Sequence, residues 1–198
     1  GDGQHSSIRT LLADSQFRII LVSNIGMMCV WWGLALWLPT YLVEAKGFEL
    51  NEMKYGAAFI YIGAAAGLYT GSWISDATGL KKRLISASLI TTFFMFILLT
   101  TVPIESKIVG VLLTFITFFV VEMAPPVFFT IVQSKIPASR VGAASGLLNG
   151  TGNAGGIIGP IGVGYAVSVT GSYSAGLMFL GVCALIAGLT LLFWYRDA

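Results

Sequence analysis

The sequence predicts an all-α membrane protein with six transmembrane helices, from its charge pattern, its composition and the length of its apolar runs. Hydrophobic residues make up 56% of the chain and charged residues 10%, whereas a soluble domain carries about 25% charge. A bilayer core about 30 Å thick needs roughly 20 apolar helical residues. The six predicted spans are residues 17–43, 55–75, 84–103, 108–133, 141–168 and 172–195.

Gaps in the charge pattern define the spans in chain order. Residues 19–43, 55–75, 84–104 and 108–121 carry no charged side chain and give the first four spans. Spans five and six come from one uncharged run, residues 141–195, which a turn near residue 171 divides. Helices are expected throughout because a helix satisfies its own backbone hydrogen bonds in lipid.

The basic residues predict the orientation of the bundle. Six crossings place both termini on one side, and that side carries most of the Lys and Arg, whereas the other has only Lys46, Lys54 and Lys107. Basic loops are typical of the cytoplasmic side. Both termini are therefore expected to be cytoplasmic, in the cell membrane, with residues 1–16 as a polar linker. Because the chain begins at Gly1 and not at Met, it is expected to be a piece of a larger protein or a processed product.

Several function classes are disfavoured by composition. The net charge of +2 is small and scattered, so no nucleic-acid partner is expected. The chain has one His and two Cys, both Cys inside apolar spans, which predicts no metal site and no cofactor. No Ser-His-Asp arrangement or nucleotide-binding loop is present, so no catalytic residue is proposed.

Span five is the most unusual helix, because it is rich in glycine and contains Pro160. Small residues four apart share a helix face and allow close helix packing in lipid. Two interpretations remain open: helix packing alone, or a bend near residues 155–160 that flexes during transport. The glycines predicted to pack closely are Gly142, Gly146, Gly150, Gly155 and Gly159.

Polar and aromatic side chains inside the spans are candidates for solute contact. Asn149 and Asn153 share one helix face. They either bond to other helices or face a water-filled path, and Asn149 is favoured because it lies nearer the midplane. Tyr41, Tyr61 and Trp31 are further candidates. Because Trp31 is followed by a second tryptophan on a different face, at most one of the two is expected to line a cavity.

Glu122 is the one charged residue predicted deep inside a span. A lone carboxylate at that depth must be protonated, paired or hydrated. One interpretation is a neutral carboxyl bonded to a backbone carbonyl, and the other is a role in proton coupling or gating. Pro125 and Pro126 follow closely, so the helix is expected to break there, as helices do at transporter binding sites.

Two loops resemble those of the major facilitator superfamily of secondary transporters. Residues 71–83 read GSWISDATGLKKR and residues 136–146 read IPASRVGAASG. The first resembles the cytoplasmic signature of the family, although Gly71 is displaced by one position and Ala77 stands where an arginine is usual. The matching residues are Asp76, Gly79, Lys81, Lys82 and Arg83.

Residues 37–48 and 144–160 are further similar to the anion:cation symporter group of that family. The resemblance implies the carboxyl-terminal half of a twelve-helix carrier, built of two inverted three-helix repeats. Its partner would be an amino-terminal six-helix half, and its cargo a small organic anion with a proton. Asp76, Lys81, Lys82, Arg83 and Arg140 would then form the inner gate.

Other functions stay open at this point. A sugar or drug transporter of the same superfamily is the nearest alternative. A six-helix membrane subunit or scaffold that transports nothing alone is another. An intramembrane enzyme would need two facing polar groups at one depth, and Glu122 is alone.

Overall fold

The computed structural model describes residues 2–49, 53–102 and 107–196, and these are almost entirely helical. Eight helices are present in these ranges. They are α1 (Asp2–Ala13), α2 (Ser15–Lys46), α3 (Met53–Thr78), α4 (Lys81–Thr101), α5 (Lys107–Val121), α6 (Pro125–Lys135), α7 (Ala138–Thr170) and α8 (Tyr173–Trp194).

The helices follow the predicted spans closely. α2, α3, α4, α7 and α8 each overlap one predicted span, and α5 with α6 overlaps the fourth. Four segments of the described chain are long and apolar enough to cross a membrane, namely Ser15–Lys46, Lys81–Thr101, Lys107–Lys135 and Tyr173–Trp194. The two other long helices, α3 and α7, have 26 and 33 residues.

The amino-terminal segment, expected to be a polar linker, is helical from Asp2 to Ala13. α1 ends at Ala13, and Asp14 caps α2 by accepting a hydrogen bond from the Gln16 backbone N–H at 2.8 Å. The Arg18 guanidinium donates to the carbonyls of Leu12 and Ala13, which have no partner within α1. The turn between α1 and α2 is therefore fixed by side-chain bonds.

α2 lies at the centre of the bundle and packs against α7 and α8, while α4 packs on α8 and α3 packs on α5. Buried polar groups connect α2 to its neighbours. The Ser23 hydroxyl donates to the Ala187 carbonyl, and the Asn24 amide donates to the Leu148 carbonyl, each at 2.8 Å. Such bonds hold helices together where lipid offers no hydrophobic drive for association.

Glycines on α3 allow it to approach α5 closely. A Cβ added to Gly67 would lie 2.2 Å from the Phe119 carbonyl oxygen, and one on Gly71 would lie 2.2 Å from the Met123 carbonyl oxygen. Gly63 meets Phe115 in the same way. Only glycine fits these positions without a shift of backbone.

A second close contact joins α7 to α2. A Cβ on Gly155 would lie 2.3 Å from the Ile25 carbonyl oxygen, and one on Gly159 would lie 2.2 Å from the Cys29 carbonyl oxygen. α7 remains helical through Pro160, whose carbonyl accepts a hydrogen bond from the Trp37 indole at 3.0 Å.

The other predicted packing glycines do not make such contacts. A Cβ at Gly142, Gly146 or Gly150 would meet nothing within 4 Å. They lie along an open groove, with Ile8 of α1 on its other side. The face of α7 that meets α2 is the one that carries Gly155, and Gly142, Gly146 and Gly150 lie on a different face of the helix.

A break separates α5 from α6. α5 ends at Val121 and α6 begins at Pro125, because the two prolines that open α6 have no backbone N–H to continue the ladder. The Ser88 hydroxyl of α4 donates to the Val120 carbonyl at 2.5 Å. This bond supports the end of α5 immediately before Glu122.

Candidate functional site

A cleft of about 330 Å³ lies where α2, α3, α7 and the break between α5 and α6 meet. Its position along the helices is central, since Trp31 lies near the middle of α2 and Glu122 near the middle of Lys107–Lys135. It is lined by Met28, Trp31, Trp32, Leu68, Glu122, Pro125, Asn149 and Asn153. Four of the residues that the sequence singled out therefore meet in one place.

Glu122 forms the acidic wall of the cleft. Its side chain is 5% exposed, and the Trp31 indole N–H donates a hydrogen bond to its Oε1. A Cβ on Gly67 would lie 3.1 Å from the Glu122 Cβ, so α3 closes the carboxyl in from one side. The residues that line the cleft include no Lys or Arg, and the indole is the donor that the protein provides.

Two tryptophans form the aromatic wall. The rings of Trp31 and Trp32 meet edge to face, with centroids 4.8 Å apart and planes at 84°. Both line the cleft, so the prediction that at most one of them would do so is wrong. Trp32 turns toward α7, where a Cβ on Gly156 would lie 2.8 Å from its ring. An indole is wide enough to reach across to a neighbouring helix face.

The amide wall comes from α7. Asn149 and Asn153 lie one turn apart and are both exposed in the cleft. The Asn153 amide donates to the Asn149 backbone carbonyl at 3.1 Å. Within the described part of the chain, no hydrogen bond engages the Asn149 side chain. Its amide can therefore donate to and accept from a solute.

The two tyrosine candidates lie outside the cleft. Tyr41 is 1% exposed, and its hydroxyl donates to the Leu99 carbonyl at 2.6 Å, so this side chain is part of the packed interior. Tyr61 is 56% exposed and packs beside Phe118, with ring centroids 6.2 Å apart. It lies seven residues before Leu68, on the same face of α3 but about 10 Å further along the helix axis.

The residues of the expected inner gate are not joined to one another. Asp76 and Arg140 are exposed at the ends of α3 and α7. Lys82 donates to the Tyr195 backbone carbonyl, at the end of α8. Between the described residues, no hydrogen bond or ion pair connects Asp76 with Lys81, Arg83 or Arg140.

The sequence did not single out some residues that shape the cleft. Gly63 and Gly67 set the distance between α3 and α5 together with Gly71, which the sequence indicated only as part of the loop signature, and the four-residue spacing of the three could have indicated this role. Met28 and Leu68 line the cleft as ordinary apolar residues, and no pattern distinguishes them from lipid-facing ones. No cluster of His, Cys, Asp and Glu able to hold a metal occurs among the described residues.

Comparison with known proteins agrees with the resemblance seen in the loops. Residues 3–160 match the Major Facilitator Superfamily. The "Probable galactarate/D-glucarate transporter GudP" of Escherichia coli K12 is 28% identical over 91% of this chain and 42% of its own length. The hexuronate transporter of Bacillus subtilis is 26% identical over 81% of this chain and 40% of its own length.

A third relative is the "Probable sulfoacetate transporter SauU" of Cupriavidus necator, 28% identical over 89% of this chain and 43% of its own length. The chain thus spans about two fifths of the length of the curated relatives that it matches. The relatives are transporters and not enzymes, and their names refer to organic acids. The chain belongs to the Major Facilitator Superfamily, and it is an integral membrane protein of that family of transporters.

Proposed function

We propose that this chain is the carboxyl-terminal half of a secondary transporter that carries a small organic anion by alternating access. The observation that carries the proposal is the cleft, in which two amides, two indoles and a carboxyl, from two helices and a helix break, face one space. A cleft near the middle of the helices, beside a broken helix, is typical of transporter sites. The named cargoes of the relatives support the sugar-acid class.

The half-transporter assignment is supported by length and helix count. The chain spans about two fifths of its relatives. α2, α3, α4, α5 with α6, α7 and α8 would be its six crossings. Both termini would then be on the cytoplasmic side of the cell membrane, where the basic residues concentrate. An amino-terminal six-helix half would cover the open side of the cleft.

The packing of the helices supports an inverted repeat. If α2, α3 and α4 correspond to α5–α6, α7 and α8, the contact of α2 with α7 corresponds to that of α5–α6 with α3. Both contacts depend on glycines, Gly155 and Gly159 in one and Gly67 and Gly71 in the other. α4 and α8 correspond to each other in the two repeats, so the contact between them is its own equivalent. Because three is an odd number of crossings, the second repeat would start on the opposite side of the membrane from the first and would therefore be inverted.

The chemistry of the cleft suits a polar acid with an extended carbon skeleton. The Asn149 amide can donate to a hydroxyl or carboxylate of the solute, and the indoles of Trp31 and Trp32 can cover its carbon face. Among the described residues that line this part of the site there is no Lys or Arg. The cation that balances the anionic solute is therefore proposed to come from the partner half.

Glu122 is proposed to carry the coupling proton. It is the only titratable side chain among the residues that line the cleft, and it is bonded to Trp31 on the cleft wall. A solute bound beside Trp31 would compete for the indole N–H, which now donates to the Glu122 carboxyl. Asp76, Lys81, Lys82, Arg83 and Arg140 are proposed to act at the inner gate in another state of the cycle, since here they are separate.

Uptake by the complete transporter in proteoliposomes tests the proposal. An inwardly directed proton gradient should drive uptake of glucarate or a hexuronate, and an excess of unlabelled sugar acid should compete. Glucose and a hydrophobic drug serve as comparison solutes. Uptake of either comparison solute without uptake of any organic acid would support the alternative of a sugar or drug transporter and refute the anion assignment.

A further inference from the structure

A basic cavity lies at one end of the bundle, on helices other than those that form most of the cleft. Its volume is about 490 Å³, and three of its lining residues are the cations Lys81, Arg83 and Lys135. The described lining contains no acidic side chain. The complete lining is Gly79, Leu80, Lys81, Arg83, Ile131, Ser134, Lys135 and Tyr195.

The cavity lies at the depth of a membrane–water interface. It is formed by the start of α4, the end of α6 and the residue after α8. These are ends of three of the four segments that are long and apolar enough to cross a bilayer. Leu80 in the lining and Trp194, which precedes Tyr195, are 49% and 62% exposed, as apolar and indole side chains are when they contact lipid at an interface.

The cations of α4 are arranged so that two of them face the cavity. Lys82 is held by the Tyr195 carbonyl, and this bond fixes the first turn of α4 beside the end of α8. Lys81 and Arg83, on either side of Lys82, line the cavity. The first turn of α4 contains no acidic residue, and no side chain caps the helix. Its backbone N–H groups therefore add positive potential at the same place.

Lys81 and Arg83 share this cavity and repel each other, and an anion between them would remove that repulsion. Ser134 lines the same cavity, and its hydroxyl donates to the Ile131 carbonyl at 3.0 Å. Basic cavities between helix ends at the interface are suited to phospholipid headgroups. The exposed Leu80 and Trp194 provide an apolar surface next to the cavity, along which acyl chains can lie.

From this arrangement we propose that the cavity binds the phosphate group of an anionic phospholipid, with Lys81 and Arg83 as its cationic ligands. The lipid would connect α4, α6 and α8 at their common end. α6 begins at the break that carries Glu122, so the headgroup would bind the far end of the helix whose start lines the cleft. The site does not depend on the identity of the transported solute.

Lipid retention by the purified protein tests the proposal. The protein is placed in nanodiscs of mixed phosphatidylcholine and phosphatidylglycerol, extracted into detergent, and examined by native mass spectrometry for bound phosphatidylglycerol. Replacing Lys81 and Arg83 together by Gln should lower retention, by about fivefold for each cation removed. The charge-preserving pair Lys81→Arg and Arg83→Lys should retain the lipid and thereby separates charge from folding.

A matched control removes two basic residues from outside the cavity. Arg9→Gln with Arg140→Gln changes the net charge equally, and neither residue lines the cavity. Equal loss in both double variants would mean non-specific attraction and would overturn the proposal. Inorganic phosphate is the second probe. If phosphate raises the Tm of the parent protein while phosphatidylglycerol is not retained, the cavity binds a soluble anion and the lipid assignment fails.

Discussion

The indole N–H of Trp31 on α2 donates a hydrogen bond to Oε1 of Glu122, at the break between α5 and α6. The bond joins residues 91 positions apart in the chain. It connects the central helix of the bundle to the break between α5 and α6, and both partners line the cleft. Replacing either residue should therefore change how much the other contributes to the free energy of unfolding.

A double-mutant cycle measures this connection. Trp31→Phe removes the indole donor, and Glu122→Leu removes the acceptor at similar volume. Each should lower the free energy of unfolding, and the two effects should be non-additive, with a coupling of about 0.5–3 kcal/mol as for residues in direct contact. Chemical denaturation of the protein in detergent gives the four values. Strict additivity would mean that the bond contributes nothing.

Glu122→Gln tests proton coupling. The amide keeps an acceptor for the Trp31 indole and about the same volume, but it cannot release a proton. Uptake driven by a pH gradient should be lost in proteoliposomes, while exchange of labelled for unlabelled solute should continue. Uptake that still follows the gradient in the variant would remove Glu122 from the coupling mechanism.

Asn149→Ala should weaken solute binding without unfolding the protein. The loss of a hydrogen bond to a charged solute group corresponds to about 1.5–3 kcal/mol, so Kd should rise roughly ten- to a hundredfold. Thr151→Ala is the control, because its hydroxyl bonds to the Leu147 carbonyl of its own helix and it lies outside the cleft. Similar Kd values for the two variants, measured by calorimetry, would exclude Asn149 as a contact.

Gly159→Ala should destabilise the bundle. The new Cβ would lie 2.2 Å from the Cys29 carbonyl oxygen, so α7 and α2 must separate. Overpacking of this kind costs about 1–3 kcal/mol. Gly146→Ala has open space around its Cβ and should be neutral or slightly stabilising, since Ala favours a helix by up to about 1 kcal/mol. Thermal unfolding compares the two, and an equal Tm would contradict the described contact.

Asp76→Asn should shift the balance between inward- and outward-facing states and leave Tm unchanged. The stability should be unaffected because Asp76 is exposed and bonds to none of the described basic residues. Any role it has must therefore act in a different state of the transporter. Labelling of single cysteines placed on each side of the membrane reports the balance, and an identical labelling pattern in variant and parent would exclude the gate role.

Much of the helix pattern could be predicted, because charge is excluded from lipid and so marks the helix ends. The meeting of Asn149 with Glu122 was also foreseeable in part, since each was a polar group predicted near the midplane. The face of α7 that packs was not predictable. Gly142 and Gly155 both belong to small-residue pairs, and the position of α2 decides which of them is in contact.

Tyr41 shows a second limit of the sequence. An aromatic hydroxyl in a span predicts that some partner exists, but not whether the partner is a solute or a carbonyl. Here the Leu99 carbonyl accepts its hydrogen bond, at 2.6 Å. Trp32 differs in the opposite direction, because it lies on another face of α2 than Trp31 and was not expected to line the cleft together with it. Its ring is large enough to reach the cleft from that face. Both outcomes depend on neighbours that are distant in the chain.

The glycine contacts have a consequence for how such a protein can change its cargo. Gly67 and Gly159 bring main chain against main chain, so the spacing of the cleft walls is set by backbone dimensions and does not vary with the side chains that face the interior. Met28, Leu68 and Asn149 can therefore be exchanged in evolution while the walls stay at the same distance. New solute preferences would then arise from single replacements at the lining, with no repacking of the helices behind it.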